Sequence, residues 1–122
     1  MDCVFCSIIK GEIPSYTIYE DDLVKCFLDI HPDSNGETLI IPKQHFKDLM
    51  EIDEAILLHI IQVAKKLIKR MEEKLHIDGV TLIQNNGDIQ EVKHFHIHLK
   101  PYYKEEQPLK EVETIYSILK ED

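Results

Sequence analysis

Three histidines alternate with three apolar residues in the segment His94-Phe95-His96-Ile97-His98-Leu99. In a β-strand, side chains two residues apart point to the same face, so the imidazoles would form a row while the apolar side chains enter a core. A helix would scatter the same residues around its axis. Because imidazoles titrate near neutral pH, such a row suits proton transfer, nucleophilic attack or metal binding. Solvated histidines without a chemical role are the alternative.

A second set of reactive side chains lies near the N-terminus, where Cys3 and Cys6 form a Cys-x-x-Cys pair. The spacing suits two thiolate ligands of a tetrahedral zinc ion, and a pair of free surface thiols is the alternative. The third cysteine, Cys26, follows Val24 in an apolar run and is expected to be a small buried hydrophobe. An odd number of cysteines gives no reason to expect a disulfide framework.

The composition predicts a single domain over residues 1–122, with 43% hydrophobic and 30% charged residues. The formal charge of −9 argues against a nucleic acid polymer as partner, but a few local donors can still hold a small nucleotide. No apolar run is long enough to span a membrane. The start of the sequence, Met1-Asp2-Cys3, lacks the basic and apolar regions of a secretory signal, so we expect a cytoplasmic protein without a membrane partner.

The elements that must position these groups are predicted from periodicity and turn residues. We expect helices over Phe5–Lys10, Asp53–His76 and Pro108–Lys120, and strands over Tyr16–Tyr19, Leu23–Leu28, Thr38–Ile41, Val80–Ile83 and the histidine segment as far as Pro101. Asp53 can cap the long helix, and Gly79 lies just past its end. Helices and strands follow one another in a mixed order with few crossover connections, which is typical of the α+β class.

The long predicted helix carries an apolar stripe that is wider than contact with one sheet requires. Its members are Ile56, Leu57, Ile60, Ile61, Val63, Ala64, Leu67, Ile68 and Met71. A second buried surface on this helix would explain the width, so we predict a homodimer. His59 and His76 on the same helix are expected to be surface or helix-end residues.

The chain resembles the histidine triad (HIT) family, whose signature alternates three histidines with apolar residues as residues 94–99 do. Further blocks of the resemblance follow in the family's order: Cys3 to Pro14, Tyr19-Glu20-Asp21-Asp22, Phe27-Leu28-Asp29-Ile30, Leu39-Ile40-Ile41-Pro42-Lys43-Gln44-His45 and Asn85-Asn86-Gly87. The resemblance implies an antiparallel sheet of about five strands with one long helix and short terminal helices, continued across a homodimer. It also implies hydrolysis or transfer at the α-phosphate of a nucleotide, with nucleoside phosphoramidates, adenylylated amines or dinucleoside polyphosphates of purines as substrates.

The resemblance assigns a role to each member of the triad. His96 would attack phosphorus and form a nucleotidyl-histidine intermediate, from which water releases a nucleoside monophosphate. His98 would donate hydrogen bonds to the phosphate oxygens, where each well-placed donor lowers the barrier by about 3 kcal/mol. His94, the first triad residue, would join the metal site.

Residues outside the triad also receive roles from the family correspondence. Asp29 matches a carboxylate that binds ribose hydroxyls, while Asn85 and Gln90 match phosphate and leaving-group contacts that backbone amides near Gln90 and Glu91 could supplement. The apolar slot for the base corresponds to Phe5, Ile8, Phe27 and Ile30. Ile8 and Phe27 could equally be plain core residues.

The family resemblance also completes the zinc site. Members with the cysteine pair add two histidines, which correspond here to His45 and His94, so that Cys3, Cys6, His45 and His94 would hold zinc. The zinc would be structural, because four protein ligands leave no open position. A metal held by the triad histidines themselves is a separate possibility.

Two departures from the family pattern leave the activity open. Glu37 stands where many members have a histidine that supports the triad, and its carboxylate could orient an imidazole or repel an anionic substrate. The loop after Gly87 is short and poor in glycine. A nucleotide-binding or interaction module with little catalysis is therefore one alternative. A nucleotidyltransferase is another, although His98 occupies a position where that branch usually has glutamine. His31 lies outside the motifs and is expected to be solvated.

Overall fold

In the computed structural model, which describes residues 3–120, an antiparallel five-stranded sheet carries helices on both faces. The helices are α1 (Val4–Ile9), α2 (Glu54–Leu75) and α3 (Val112–Leu119), and the strands are β1 (Thr17–Glu20), β2 (Val24–Leu28), β3 (Thr38–Pro42), β4 (Gly79–Ile83) and β5 (Ile97–Tyr102). A single 3-10 turn spans Gly87–Ile89. The strand order is β1-β2-β3-β5-β4, so β3 and β5 lie inside the sheet. The predicted α+β class and antiparallel sheet are confirmed.

The sheet separates two apolar clusters because successive side chains of a strand point to opposite faces. Cys26 and Ile40 face α2 and α3 in the larger core, while Phe27 and Leu39 face α1 on the other side. Cys26 is fully buried, as expected for a small hydrophobe. Every residue of β3 is buried, which fits the continuous apolar run in its sequence.

The long helix α2 matches its prediction, and its ends are fixed by local chemistry. The Asp53 side chain accepts a hydrogen bond from the backbone amide of Ile56 at 3.1 Å, which caps the N-terminus. At the other end His76, not Gly79, adopts the left-handed conformation with φ of 56°, and Gly79 already begins β4. A short polar-tipped side chain can adopt this conformation at a modest energetic cost.

The buried face of α2 comprises Ile60, Val63, Ala64, Leu67 and Met71. Leu58 and Ile61 of the same helix are exposed, and the homodimer that the wide stripe suggests remains a prediction. Among residues 3–120, no helix is both long and apolar enough to cross a membrane.

The strand that carries the histidines begins later than the alternation predicts, because only His98 lies within β5. The backbone amide of Phe95 donates to the carbonyl of Phe46 at 2.7 Å, so this part of the chain bonds to the segment after β3 and not to β3 itself. The predicted alternation of faces nevertheless holds. Phe95, Ile97 and Leu99 are all buried in the core beneath α2.

The C-terminal helix is shorter than predicted, since residues 108–111 are not helical. The buried side chain of Asn35 holds this stretch extended. It donates to the carbonyl of Pro108 at 3.1 Å and accepts from the amide of Lys110 at 2.9 Å. These long-range bonds satisfy backbone groups that a helix would otherwise use, and no local sequence signal reveals them.

Gly36 gives the first prediction, because it shapes the turn that delivers Glu37. Its φ is +95°, and a Cβ there would approach Leu75 Cδ1 to 2.6 Å and Pro101 Cγ to 3.4 Å. We expect Gly36→Ala to lower the free energy of unfolding by about 2–3 kcal/mol, since backbone strain and a steric clash act together. Urea denaturation measures the effect.

The matched control is Gly11→Ala, where φ is +80° but no atom lies within 4 Å of an added Cβ. Because only backbone strain acts there, we expect Gly11→Ala to lower the free energy of unfolding by about 1 kcal/mol. Equal losses in the two variants would contradict the role assigned to the packing around Gly36.

Candidate functional site

The site is built on the face of the sheet that α1 covers, and the strand register explains its layout. Phe27 pairs with Leu39, and Leu39 pairs with His98, so these three side chains form one row across β2, β3 and β5. Two residues along each strand, Asp29 and Glu37 form the next row, joined by a hydrogen bond from the Asp29 amide to the Glu37 carbonyl at 3.0 Å. The row that begins at Phe27 and ends at His98 therefore adjoins an acidic row on the same face.

His96 lies immediately before β5 and is almost fully buried. Its Nδ1 is 2.8 Å from the carbonyl oxygen of His94. A carbonyl oxygen can only accept, so Nδ1 carries the proton and the neutral ring keeps a lone pair on Nε2. Burial lowers the pKa of His96 below its usual value, which keeps the imidazole neutral near pH 7.

His98 is held by two carboxylates on its Nδ1 edge. Glu37 Oε2 lies 3.2 Å from Nδ1, and Asp29 Oδ2 lies 4.0 Å away. The other Glu37 oxygen accepts from the amide of Asp33 at 2.8 Å, so the buried carboxylate is fixed in place. The ring centroids of His96 and His98 are 5.2 Å apart, which places the two imidazoles side by side.

The first of two cavities beside these histidines is largely apolar and has a volume of about 300 Å³. All four side chains expected to hold a base line it, namely Phe5, Ile8, Phe27 and Ile30. Asp29, expected to bind ribose, lies on its wall with His96 and His98. Leu39 and Val92 also line this cavity, although neither was predicted from the sequence to do so. Strand alternation from Phe27 and His98 could have found Leu39.

The second cavity meets the first at His96 and His98, has a volume of about 350 Å³ and is polar. Asn85 and Glu37 line it, as do His31 and Lys100, which the sequence analysis did not place in the site. His31 is exposed, as expected, but its position is at the cavity wall. Lys100 follows His98 by two residues, so the two-residue period of a strand predicts that both side chains lie on the same face of the sheet.

Gln90 lies outside both cavities, although the family correspondence associates it with the phosphate. Its side chain is buried and donates to the carbonyl of Lys47 at 2.6 Å, while its Oε1 has no hydrogen-bond partner among the described residues. Glu91, the next residue, lines both cavities. The structure thus brings together His96, His98, Asp29, Asn85 and Glu91, whereas Gln90 and His94 line neither cavity.

A separate cluster joins the N-terminus to the first histidine of the triad. The ligating atoms of Cys3, Cys6, His45 and His94 all lie within 4.8 Å of one another. Cys3 Sγ is 3.4 Å from His94 Nδ1, and Cys6 Sγ is 3.3 Å from His45 Nδ1 and 3.6 Å from His94 Nδ1. Ligands on a tetrahedral zinc ion are roughly 3.3–3.8 Å apart, so the cluster has the dimensions of such a site.

The protonation of His94 also fits a metal site. Its Nε2 is 2.9 Å from the carbonyl of Pro42, so Nε2 carries the proton and Nδ1 turns its lone pair toward the thiols. Burial lowers the pKa of His94 to about 4, which keeps the ligand neutral. Burial and the neighbouring Cys3 raise the pKa of the Cys6 thiol, an effect that a bound cation would reverse.

Comparison with known proteins settles the family. The family model of the HIT domain matches residues 10–105. The chain belongs to the HIT family. An uncharacterised HIT-like protein of Methanocaldococcus jannaschii is 42% identical over 104 residues, which cover 84% of this chain and 80% of the relative. Adenosine 5′-monophosphoramidase of Saccharomyces cerevisiae is 43% identical over 109 residues, covering 88% of this chain and 66% of that enzyme.

Solved HIT structures share the whole fold. A zinc-bound histidine triad family protein from Mycobacterium smegmatis superposes with a TM-score of 0.90 at 32% identity, covering 98% of this chain and 91% of that one. A HIT-like protein from Bartonella henselae gives a TM-score of 0.89 at 33% identity, covering 97% and 94%. The subunit fold implied by the HIT resemblance is confirmed, while the continuation of the sheet across a homodimer stays a prediction. The zinc-bound neighbour is consistent with a metal at the cysteine cluster.

The cluster gives the second prediction, on metal content and stability. Protein purified with zinc should carry one ion per chain, and chelation should lower the melting temperature by about 10 °C because metal binding stabilises only the folded state. Cys6→Ala should abolish the zinc content. Metal analysis by mass spectrometry and thermal denaturation measure both effects.

The matched control is His98→Ala, which leaves the four cluster residues intact and should retain the ion. Loss of zinc in that variant, with retention in Cys6→Ala, would instead assign the metal to the triad histidines.

Proposed function

We propose that this protein hydrolyses nucleotide conjugates at the α-phosphate, with His96 as nucleophile. The observation that carries the proposal is the state of His96: a buried, neutral imidazole whose Nδ1 proton is held by the His94 carbonyl and whose Nε2 is unprotonated. Membership of the HIT family supports nucleotide hydrolysis. Relatives include adenosine 5′-monophosphoramidases and an Arabidopsis thaliana adenylylsulfatase that is 38% identical.

The reaction proceeds in two balanced steps. His96 Nε2 forms a bond to the α-phosphorus while the bond to the leaving group breaks, and the leaving group departs with the electron pair and takes up a proton. Water then attacks phosphorus, the bond to His96 breaks, and a proton passes to solvent. The products are a nucleoside monophosphate and the free leaving group.

The substrate assignments follow the cavities. The purine lies in the apolar cavity against Phe5 and Phe27, and Asp29 accepts hydrogen bonds from the ribose hydroxyls. His98 and Asn85 donate to the phosphate oxygens, where fixed donors stabilise the charge that develops in the transition state. Gln90 acts through its bond to the Lys47 carbonyl, which holds the Gln90–Glu91 backbone beside the phosphate.

The cysteine cluster would hold zinc through Cys3, Cys6, His45 and His94. With four protein ligands this zinc would be structural and would supply no reactive position. Its ligand His94 supplies the carbonyl that orients His96. The metal would thus support catalysis by fixing the backbone on which the nucleophile lies.

A nucleotide-binding protein with little turnover is a second candidate, and the carboxylates around His98 favour it because they repel an anionic phosphate. A nucleotidyltransferase would pass the nucleotidyl group to a second phosphate instead of water. Trapping of the covalent intermediate, followed by product analysis, distinguishes these functions from hydrolysis.

The third prediction concerns the nucleophile. His96→Ala should lower kcat/KM for adenosine 5′-phosphoramidate by at least about 10⁴-fold while the protein remains folded, because no other group can form the intermediate. The wild-type protein should give an adenylyl adduct on His96, measured by mass spectrometry without acid treatment.

The control is His59→Gln, a histidine substitution on α2 outside both cavities, which should leave the turnover unchanged. Full activity of His96→Ala would refute the mechanism. Binding of AMP without adduct or turnover of any conjugate would assign the protein to the non-catalytic class.

The fourth prediction treats Glu37 as a positioning residue that holds the Nδ1 edge of His98. Glu37→Leu should lower kcat about 30-fold with little change in KM, since the imidazole then rotates away from the phosphate. Glu37→Gln keeps the shape of the side chain and one acceptor oxygen, which can still hold the Nδ1 edge of His98. We therefore expect kcat of this variant to lie within about threefold of wild type.

Steady-state kinetics with both variants measures kcat and KM separately and shows which of the two changes. Faster turnover in Glu37→Leu than in the wild type would show that repulsion of the substrate is the dominant effect of the carboxylate.

A further inference from the structure

Two cavities of opposite character meet at the reaction centre. His96 and His98 line both of them, with Asp29 and Glu91 on the shared wall. The first cavity is otherwise lined mainly by apolar side chains, and the second mainly by polar and charged ones. A substrate cleaved at the α-phosphorus has two arms, the nucleoside and the leaving group, so each cavity can hold one of them.

This inference rests on the proposed function. If that function holds, the chemistry of each arm assigns it to one of the two cavities. A purine base is flat and mostly apolar, and the apolar cavity suits it, because Phe5 and Phe27, whose rings contact each other edge to face, both line that cavity. The polar cavity of about 350 Å³ is then left for the leaving group. Its side chains determine which leaving groups the protein accepts.

The polar cavity carries an excess of negative charge. Four carboxylates line it, those of Asp29, Asp33, Glu37 and Glu91, against the one ammonium group of Lys100. Lys100 is already neutralised, because its Nζ lies 2.7 Å from Asp33 Oδ2. Asp29, Glu37 and Glu91 therefore have no lysine or arginine partner on this cavity wall.

The nearest of these carboxylates are fixed beside the reacting atoms. Glu37 is buried and bonded through both oxygens, and Asp29 Oδ1 accepts from the amide of His31 at 2.9 Å. Fixed charges in a partly buried cavity interact more strongly with a substrate than charges exposed to water do. They repel an anionic leaving group and attract a cationic one.

We infer that the protein selects conjugates whose leaving group is an amine bearing a further positive charge. Nucleoside monophosphates linked to diamines or to the side chain of a basic amino acid fit this description. A second nucleotide or a sulfate as leaving group would instead place negative charge among the carboxylates. Charge on the leaving group, and not its size, sets the preference.

Three substrates of similar size test the inference. The adenosine 5′-phosphoramidates of 1,3-diaminopropane, n-butylamine and β-alanine carry a cationic, neutral and anionic leaving group, respectively. We expect kcat/KM with the wild-type protein to be about tenfold higher for the cationic substrate than for the neutral one, and lowest for the anionic one, as a single favourable or unfavourable charge contact allows.

A variant separates the cavity charge from the intrinsic reactivity of the three amines. Glu91→Gln combined with Asp33→Asn removes two of the four carboxylates and frees Lys100 from its ion-pair partner. The ratio of kcat/KM for the cationic substrate to kcat/KM for the anionic substrate should fall by about tenfold or more. The matched control Asp22→Asn removes an exposed carboxylate from the β1–β2 turn, outside both cavities, and should leave the ratio unchanged.

Equal rates for the three substrates, or a ratio that stays the same in the double variant, would overturn the inference while leaving hydrolysis intact. Turnover of none of them, with no adduct on His96, would instead overturn the proposed function and this inference with it. Higher salt should also reduce the preference, because the cavity is open to solvent.

Discussion

The pairing of β3 with β5 is the constraint on which the site depends. It sets Leu39 opposite His98 and so aligns the histidine with the apolar row that begins at Phe27. A slip of one residue would turn His98 into the core beneath α2 and expose Ile97 to the cavity. The buried alternation of Phe95, Ile97 and Leu99 makes such a slip costly, so packing on one face fixes chemistry on the other.

Backbone carbonyls then give two neighbouring histidines opposite protonation patterns. Pro42 accepts from Nε2 of His94, whereas the carbonyl of His94 accepts from Nδ1 of His96. One ring thus turns Nδ1 toward the cysteines, and the next keeps a lone pair on Nε2, the atom that the proposed mechanism assigns to the attack on phosphorus. Identical side chains thus present different nitrogen atoms to their surroundings, and burial, aided by neighbouring imidazoles, lowers the pKa of both rings and keeps them neutral.

The sequence predicted the features that depend on local pattern. Alternation placed Phe95 and Leu99 in the core, and the helical stripe located α2 almost to the residue. The late start of β5 and the short α3 depend on distant partners, the Phe46 carbonyl and the Asn35 side chain, which leave no trace in a local window. The same reason hid His31, which a turn brings to the wall of the polar cavity, whereas the two-residue period of the strand from His98 did carry a signal for Lys100.

The cysteine cluster joins segments of the chain that are synthesised at different times. Cys3 and His94 are separated by 91 residues, so the thiols leave the ribosome well before the imidazole that completes their cluster. During synthesis the two thiols are near neighbours on an unfolded segment, and a disulfide between them would remove both ligands from the cluster. Oxidation of the two thiols before His45 and His94 are synthesised would therefore leave the cluster with only its two histidines.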